Sequence, residues 1–351
     1  MENTLTGNSL KSSWLSFREK NPKTRIRNAA AVLQTTEAEI LAAFTGSLVL
    51  RLKDQFAELW KRMPELGYVM SLTRNESCVH ERRGVFENIK VNSRHVGYVA
   101  GKDIDLRMFF QHWAFGFAVF DDEKAGFKKS IQVFDQQGVA VTKIYIEAKS
   151  DHAAFENLVR EFADENQSPV LHVLPEEPAH VYADGNIDIS GFHKSWGALQ
   201  DTHDFYPMLL KYNVSRLHAL HIGGSFTRRV SNASTRKLLY DFSASGMQIM
   251  VFTGNHANVQ IHTGPIKKIV EIPGWINVID PEFDLHLREG DIAESWVVEK
   301  PNSDGGVHSL EMYDAAGNLI LSFFGKRKPG IPESAEWREY VTGIPSLEAT
   351  A

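Results

Sequence analysis

Apolar and polar positions alternate over residues 104–110, which predicts a strand. Ile104, Leu106, Met108 and Phe110 fall on one face, and Asp105, Arg107 and Phe109 on the other. Two further strand-like runs, 130–135 and 139–147, flank Gln136-Gln137-Gly138, a hairpin signal. The period then changes. Phe155, Leu158, Val159 and Phe162 keep the spacing of a helix that buries one stripe. Ahead of the strands, 12–20 reads as helical, and 27–44 as two short helices around Gln34-Thr35-Thr36. Thr36 and Glu39 have the spacing of a capping box, in which hydroxyl and carboxylate satisfy free amides of the first turn. The second half follows the same plan, with a hairpin around Ala315-Ala316-Gly317. Helices and strands do not alternate one for one. This argues against a doubly wound parallel sheet and for an α+β chain with antiparallel sheets.

The two halves echo each other in detail. Ser13-Trp14 recurs 182 positions later as Ser195-Trp196. Thr73, Asn75, Val79 and Gly84 recur 180 positions later as Thr253, Asn255, Val259 and Gly264. Asp105-Leu106 recurs at 284–285, and the run 130–135 with Gly138 recurs at 309–314 with Gly317, both shifted by 179. Four matches in one order at a nearly constant shift predict a tandem duplication. Between the halves, residues 164–190 carry Pro169, Pro175 and Pro178 among several glutamates and read as an extended linker. The expected boundary lies near 180, giving an N-terminal repeat over 1–180 and a C-terminal repeat over 181–351.

Composition narrows the function. A chain of 351 residues, 43% hydrophobic and 23% charged, is an ordinary globular one. Its net charge of −6 does not attract nucleic acid or anionic membrane as a whole. One cysteine, Cys78, excludes an intramolecular disulfide and fits a reducing compartment. No apolar run approaches a membrane span, and the first residues lack the basic start and apolar middle of a signal peptide. The expectation is a cytoplasmic protein with no membrane insertion and no nucleic-acid partner.

Dinucleotide, Walker A, H-E-x-x-H and G-x-S-x-G motifs are all absent. Residues 27–44 resemble the start of a helix-turn-helix, but its second helix opens on Glu37 and Glu39, which would meet phosphates. A helical pair packing on a sheet is the preferred reading. His218 and His221 have the spacing to share a helix face, yet no cysteine or neighbouring carboxylate completes a metal site, so they read as surface or capping residues.

Two residues carry more chemistry. Trp196, Leu199, His203, Tyr206 and Leu210 recur at steps of three and four, predicting a helical stripe. A histidine there is either a satisfied core residue or one that offers a nitrogen to a metal in an apolar pocket. Asp201 and Asp204 flank it but would point elsewhere on such a helix. Arg107 shares its strand face with Phe109. It either faces solvent or lines a cavity and holds an anion or a metal-bound water.

Asp-Leu-Arg-x-Phe at 105–109 followed by Trp113 resembles the haem-utilisation family of HemS/ChuS-like proteins, also called hemin-degrading factors. So do Asp201-Thr-His203-x-Phe205 after Trp196, Ala293-Glu-Ser-Trp296, and Trp337-Arg338. The resemblance runs from about 10 to about 345, and duplication is itself a family feature. It implies two similar halves whose large antiparallel sheets stack around a pseudo-two-fold, with haem b in a cleft on the second half. It implies His203 as the proximal iron ligand and Arg107 as the distal arginine, acting through a water or hydroxide. Phe109 and Phe252 would line the haem cavity, and Arg216, Lys300 and Arg327 would lie near the propionates. His80 matches a histidine proposed to bind a second haem; its competing reading is a strand histidine on a solvent face. One departure is visible. The family's Tyr-Gly-Gln-Arg is here Phe324-Gly325-Lys326-Arg327, so a phenol is lost and Lys326 becomes a further candidate for a propionate. The implied function is haem binding for iron acquisition, with degradation driven by an external electron donor. The alternative is a carrier that passes haem to a separate haem oxygenase, possible partners being that oxygenase or a haem importer.

Overall fold

In the computed structural model, residues 7–91, 95–175, 182, 187–327 and 330–347 are described. They form ten α-helices, several short 3-10 turns, and two antiparallel sheets of nine strands each. The chain condenses into two compact units. One comprises residues 1–74, 80–177 and 254–260, and the other 75–79, 178–253 and 261–351. Each unit therefore includes a short segment from the opposite half of the sequence.

The first unit opens with helices α1 (Gly7–Lys20), α2 (Ile26–Val32) and α3 (Glu37–Ala42). Next come strand β1 (Val49–Leu52) and helix α4 (Phe56–Lys61), then strands β2 (Gly67–Arg74), β3 (Cys78–Val85), β4 (Ile89–Val91) and β5 (Val96–Ala100). Strands β6 (Asp105–Phe109), β7 (Phe115–Val119), β8 (Ser130–Phe134) and β9 (Ala140–Ser150) lead to helix α5 (His152–Glu161). Six strands run in the order β1-β7-β8-β9-β2-β3, and β6, β5 and β4 pair with one another as an antiparallel ribbon. Two apolar clusters flank this sheet. One gathers Trp60, Trp113, Phe155 and Ile144; the other packs Trp14, Phe44, Phe127 and Phe134 under α1–α3. The capping box forms as expected: Glu39 N–H donates to the Thr36 hydroxyl, and Thr36 N–H donates to the Glu39 carboxylate. The acidic start of α3 does not face solvent. Glu37 is buried against Lys143. The linker is extended and packed as far as 175, where Leu171 is buried and Leu174 N–H donates to Gln136 O at 2.7 Å. Pro178 lies outside the described residues.

The second unit repeats the plan. Helices α6 (Ile189–Gly197), α7 (Phe205–Tyr212) and α8 (Arg216–His221) precede strand β10 (Thr227–Val230) and helix α9 (Ala233–Ser245). Strands β11 (Ile249–Gly254), β12 (Asn258–Gly264), β13 (Ile269–Ile272), β14 (Trp275–Ile279) and β15 (Phe283–Leu287) follow. Strands β16 (Glu294–Lys300), β17 (Val307–Tyr313) and β18 (Leu319–Gly325) and helix α10 (Ala335–Thr342) complete it. Here the order is β10-β16-β17-β18-β11-β12, with β15-β14-β13 as the ribbon.

The duplication reaches the level of single hydrogen bonds. Trp14 Nε1 donates to Ala125 O at 3.1 Å, and Trp196 Nε1 to Glu299 O at 2.9 Å. Gln34 and Asn213, 179 positions apart, both take left-handed backbone at φ 53° and 50°. Asn75 accepts the amides of Ser77 and Cys78 and donates to Ile320 O; Asn255 accepts those of Ala257 and Asn258 and donates to Val141 O. Both asparagines sit in the segments that belong to the opposite half's unit.

Candidate functional site

The segment that carries His203 is not the single helix that its spacing predicted. Helix α6 ends at Gly197, a short 3-10 turn spans Thr202–Asp204, and α7 begins at Phe205. The break is stabilised locally. Asp201 accepts the His203 amide at 2.8 Å, and Asp204 returns the bond by accepting the Asp201 amide at 3.1 Å. Pro207 falls in the first turn of α7, where a missing amide costs no helical bond. Trp196, Leu199 and Phe205 are buried, whereas Tyr206 and Leu210 are exposed, so the stripe stops where the helix breaks.

This places His203 at the surface, its side chain 89% exposed, rather than on an apolar stripe. The expectation that Asp201 points away is also overturned. With the helix broken, its Oδ1 lies 2.5 Å from His203 Nδ1. The His203 amide and ring hold the Asp201 carboxyl below its usual range, against partial burial, with Arg327 adding to the effect from nearby. Nδ1 is thus engaged, and no hydrogen bond or ion pair reaches Nε2 among the described residues. A carboxylate that fixes one imidazole nitrogen and leaves the other outward is the arrangement that orients metal-ligating histidines.

Beneath this turn lies a buried ionic cluster. All of β17 is buried, and its face with Ser309, Glu311 and Tyr313 turns toward the helices. Glu311 accepts from Lys300 Nζ at 2.7 Å, from both Arg216 nitrogens Nη2 and Nε at 2.9 and 3.1 Å, from Ser309 at 2.8 Å and from Tyr313 at 2.6 Å. Burial alone would raise the Glu311 carboxyl, but Arg216 and Lys300 hold it far below its usual range. Burial lowers the Lys300 ammonium and Glu311 opposes that; the Tyr313 hydroxyl is raised by burial and then by Glu311. Both cations cover the Phe205 ring, with Lys300 Nζ 4.7 Å and the Arg216 guanidinium 5.8 Å from its centroid. The structure therefore brings Arg216 and Lys300 together over Phe205, which is two residues along the chain from His203. Glu311 was missed from the sequence, and Asp201 was seen beside His203 but set aside as its partner. The one signal for Glu311 is a lone carboxylate between Leu310 and Met312 in a strand flanked by apolar residues.

The other expected residues lie as follows. Arg327 follows β18 and is half-buried. Phe252, on β11, meets Phe324 edge-on at 4.9 Å, so the position that lacks the family's phenol is filled by a ring pair. Lys326 is exposed and donates to Gln248 Oε1 at 2.5 Å. In the first unit, Arg107 and Phe109 share a face of β6 as expected, with Leu106 and Met108 buried on the other. Arg107 is 41% exposed. It pairs with Asp105, donates to the carbonyl of Leu106 at 3.1 Å and lies over the Tyr98 ring at 5.9 Å. Burial raises the Asp105 carboxyl and Arg107 opposes the rise. Phe109 is half-buried, and its amide donates to Ala257 O at 3.0 Å. His80 is fully buried in β3, which removes its solvent-face reading. His221 does have a carboxylate neighbour, Glu294 at 3.1 Å, but no group of three or more His, Cys, Asp or Glu is placed to hold a metal among the described residues.

The profile described as the haemin-degrading HemS.ChuX domain matches residues 34–162 and again 213–344, the second match opening 179 positions after the first. The chain belongs to this family. The hemin transport protein HemS of Yersinia enterocolitica is 33% identical over 345 residues, covering 98% of this chain and 99% of that one. Apo-PhuS, described as a heme-binding protein from Pseudomonas aeruginosa, is 41% identical with a TM-score of 0.94, covering 97% of this chain and 100% of that one. ChuS of Escherichia coli O157:H7, described as a heme degrading enzyme, is 33% identical with a TM-score of 0.87, covering 96% and 99%. HemS/ChuX membership thus spans both repeats of the fold. No helix among the described residues is long and apolar enough to cross a membrane.

Proposed function

We propose that this protein binds haem b for iron acquisition in the cytoplasm, with His203 as the axial iron ligand. The observation that carries the reading is the outward Nε2 of His203, its ring fixed through Nδ1 by Asp201. Haem is a flat apolar disc with carboxylates at one edge, and it needs an axial donor, aromatic walls and cations at the rim. His203 supplies the donor. Phe252 and Phe109 supply aromatic surface, and Arg216, Lys300 and Arg327 supply cations, with arginine forks suited to carboxylates. Arg107 takes the distal role, where a guanidinium stabilises negative charge. The bound haem brings the redox chemistry, and its degradation draws on an external electron donor.

A second reading is a carrier that hands haem to a separate oxygenase or receives it from an importer. The exposure of His203 favours it, because an axial donor on an open edge can release its cargo. The Yersinia relative is named for transport and the Escherichia one for degradation, so family names support both readings.

Haemin titration followed by visible absorbance tests the binding. Wild type is expected to give a sharp Soret band saturating near one equivalent. His203→Ala is expected to lose most affinity and shift the band; an unchanged band and affinity refute the ligand. Arg107→Ala is expected to keep most affinity and alter turnover. Addition of a reductant under air, with catalase present, separates the two functions: decay of the band supports degradation, and a stable band supports the carrier. Saturation at two equivalents, reduced to one by His80→Ala, would assign the second haem.

A further inference from the structure

We infer that Glu311 is a positioning residue for the axial histidine: its buried carboxylate clamps Arg216 and Lys300 over Phe205 and so anchors the turn that presents His203. The inference rests on the haem-binding reading of His203.

The geometry carries it in three steps. Glu311 is buried and accepts from four side chains, two of them cationic, so it fixes where both cations sit. The two cations lie over the ring of Phe205, which is itself buried against Trp196 at 4.8 Å. Phe205 directly follows the 3-10 turn that holds His203 and opens α7. A shift of Phe205 therefore moves the imidazole.

The other repeat supplies an internal comparison. At a shift of 179, Gln132 stands where Glu311 is, Glu37 where Arg216 is, Phe134 where Tyr313 is, and Lys143 where Ser322 is. There the buried charges are Glu37 and Lys143, one of each sign, and Lys143 reaches over Phe134 within its own core. In the C-terminal repeat the charges are Arg216, Lys300 and Glu311, leaving one positive charge uncompensated next to the His203 turn. An excess cation here suits a ligand with carboxylates. Glu311 keeps that excess at one and holds Lys300 charged. The charged groups that act on Lys300 are Glu311 on β17, which also holds the Tyr313 hydroxyl, and Arg216 on α8; of these Glu311 alone is anionic.

The test is Glu311→Gln in the full-length protein, which keeps size and hydrogen bonding but removes the charge. Haemin affinity is read by visible absorbance at pH 7 and pH 9, beside His203→Ala. The expected result is an affinity at least tenfold below wild type at pH 7, a shifted Soret band, and a further tenfold loss by pH 9 as Lys300, now beside Arg216 without a counter-ion, gives up its proton. Wild type is expected to change less than threefold over the same interval. A purely structural role for Glu311 would not create this pH dependence. If Glu311→Gln folds poorly, Lys300→Met with Glu311→Gln leaves no unpaired ammonium and is expected to bind weakly without the alkaline loss. An affinity within twofold of wild type at both pH values overturns the inference when His203→Ala has lost binding. If His203→Ala binds like wild type, the haem-ligand reading itself falls.

Discussion

Replacing Asp201 with Asn isolates the electrostatic role of the residue that orients His203. Asparagine is as good an N-cap as aspartate, so acceptance of the His203 amide at 2.8 Å is expected to persist, as is the return bond to Asp204. What changes is the partner of Nδ1, now 2.5 Å from a carboxylate oxygen and in the variant beside a neutral amide. Loss of such an outer partner typically weakens metal affinity about 10- to 100-fold. The ring is 89% exposed and the carboxylate 58% exposed, so solvent screens the charge and the lower end applies. The expected loss is about 10-fold in haemin affinity, or about 1.4 kcal/mol. The pH sign follows from the depressed Asp201 carboxyl. Its orienting effect is present above the usual carboxylate range and fades as pH falls through the lowered native value. Wild-type affinity should therefore owe nothing to Asp201 titration above about pH 5. Haemin titrations at pH 5 to 8, with a thermal melt of each variant, provide the assay. An affinity for Asp201→Asn within twofold of wild type throughout would refute the claim that this carboxylate prepares the imidazole.

Two further outcomes are expected. Gly84 and Gly264 share φ values of 157° and 158°, but a Cβ at Gly84 would lie 2.3 Å from Asp103 Cβ, whereas at Gly264 the nearest atom is 3.3 Å away on His262. Gly84→Ala should thus cost roughly 2–4 kcal/mol and Gly264→Ala roughly 1–2 kcal/mol in urea unfolding; equal losses would show that the contact with Asp103 is irrelevant. Glu333 accepts the His308 amide and pairs with the His308 ring and Arg338, which together hold its carboxyl below the usual range despite burial. That stability is present above the usual carboxylate range and lost as pH falls through the lowered value, so Glu333→Gln should melt lower than wild type at pH 7 yet lose less between pH 5 and pH 3. A parallel pH dependence in the two proteins would contradict it.

The antiparallel α+β class and the duplication were legible because they rest on local signals: alternation in β6, hairpin turns at Gly138 and Gly317, a capping box at Thr36. The His203 turn was not. A helical period of three and four continued through it, and only the reciprocal bonds of Asp201 and Asp204 decide that the helix stops. Once it stops, the histidine moves from an apolar stripe to the surface and gains a partner that spacing alone had excluded. Glu311 was hidden for a different reason. Its partners Arg216 and Lys300 are 95 and 11 positions away, and nothing local pairs them. Those two cations entered through family resemblance rather than through any pattern in their own neighbourhood.

The segments that each unit takes from the opposite half bear on how the chain is made. During synthesis, residues 1–74 and 80–177 leave the ribosome first, but the first unit is not complete without 254–260. Those residues supply the acceptor for the Trp113 indole at 3.0 Å and the Asn255 bonds to Arg74 and Val141. The ribosome must add about 80 more residues before they exist, a wait of roughly 4 to 16 s at ordinary elongation rates. Through that interval the nascent N-terminal repeat has an open place among its aromatic side chains. Final assembly of both units is thereby coupled to the later part of translation.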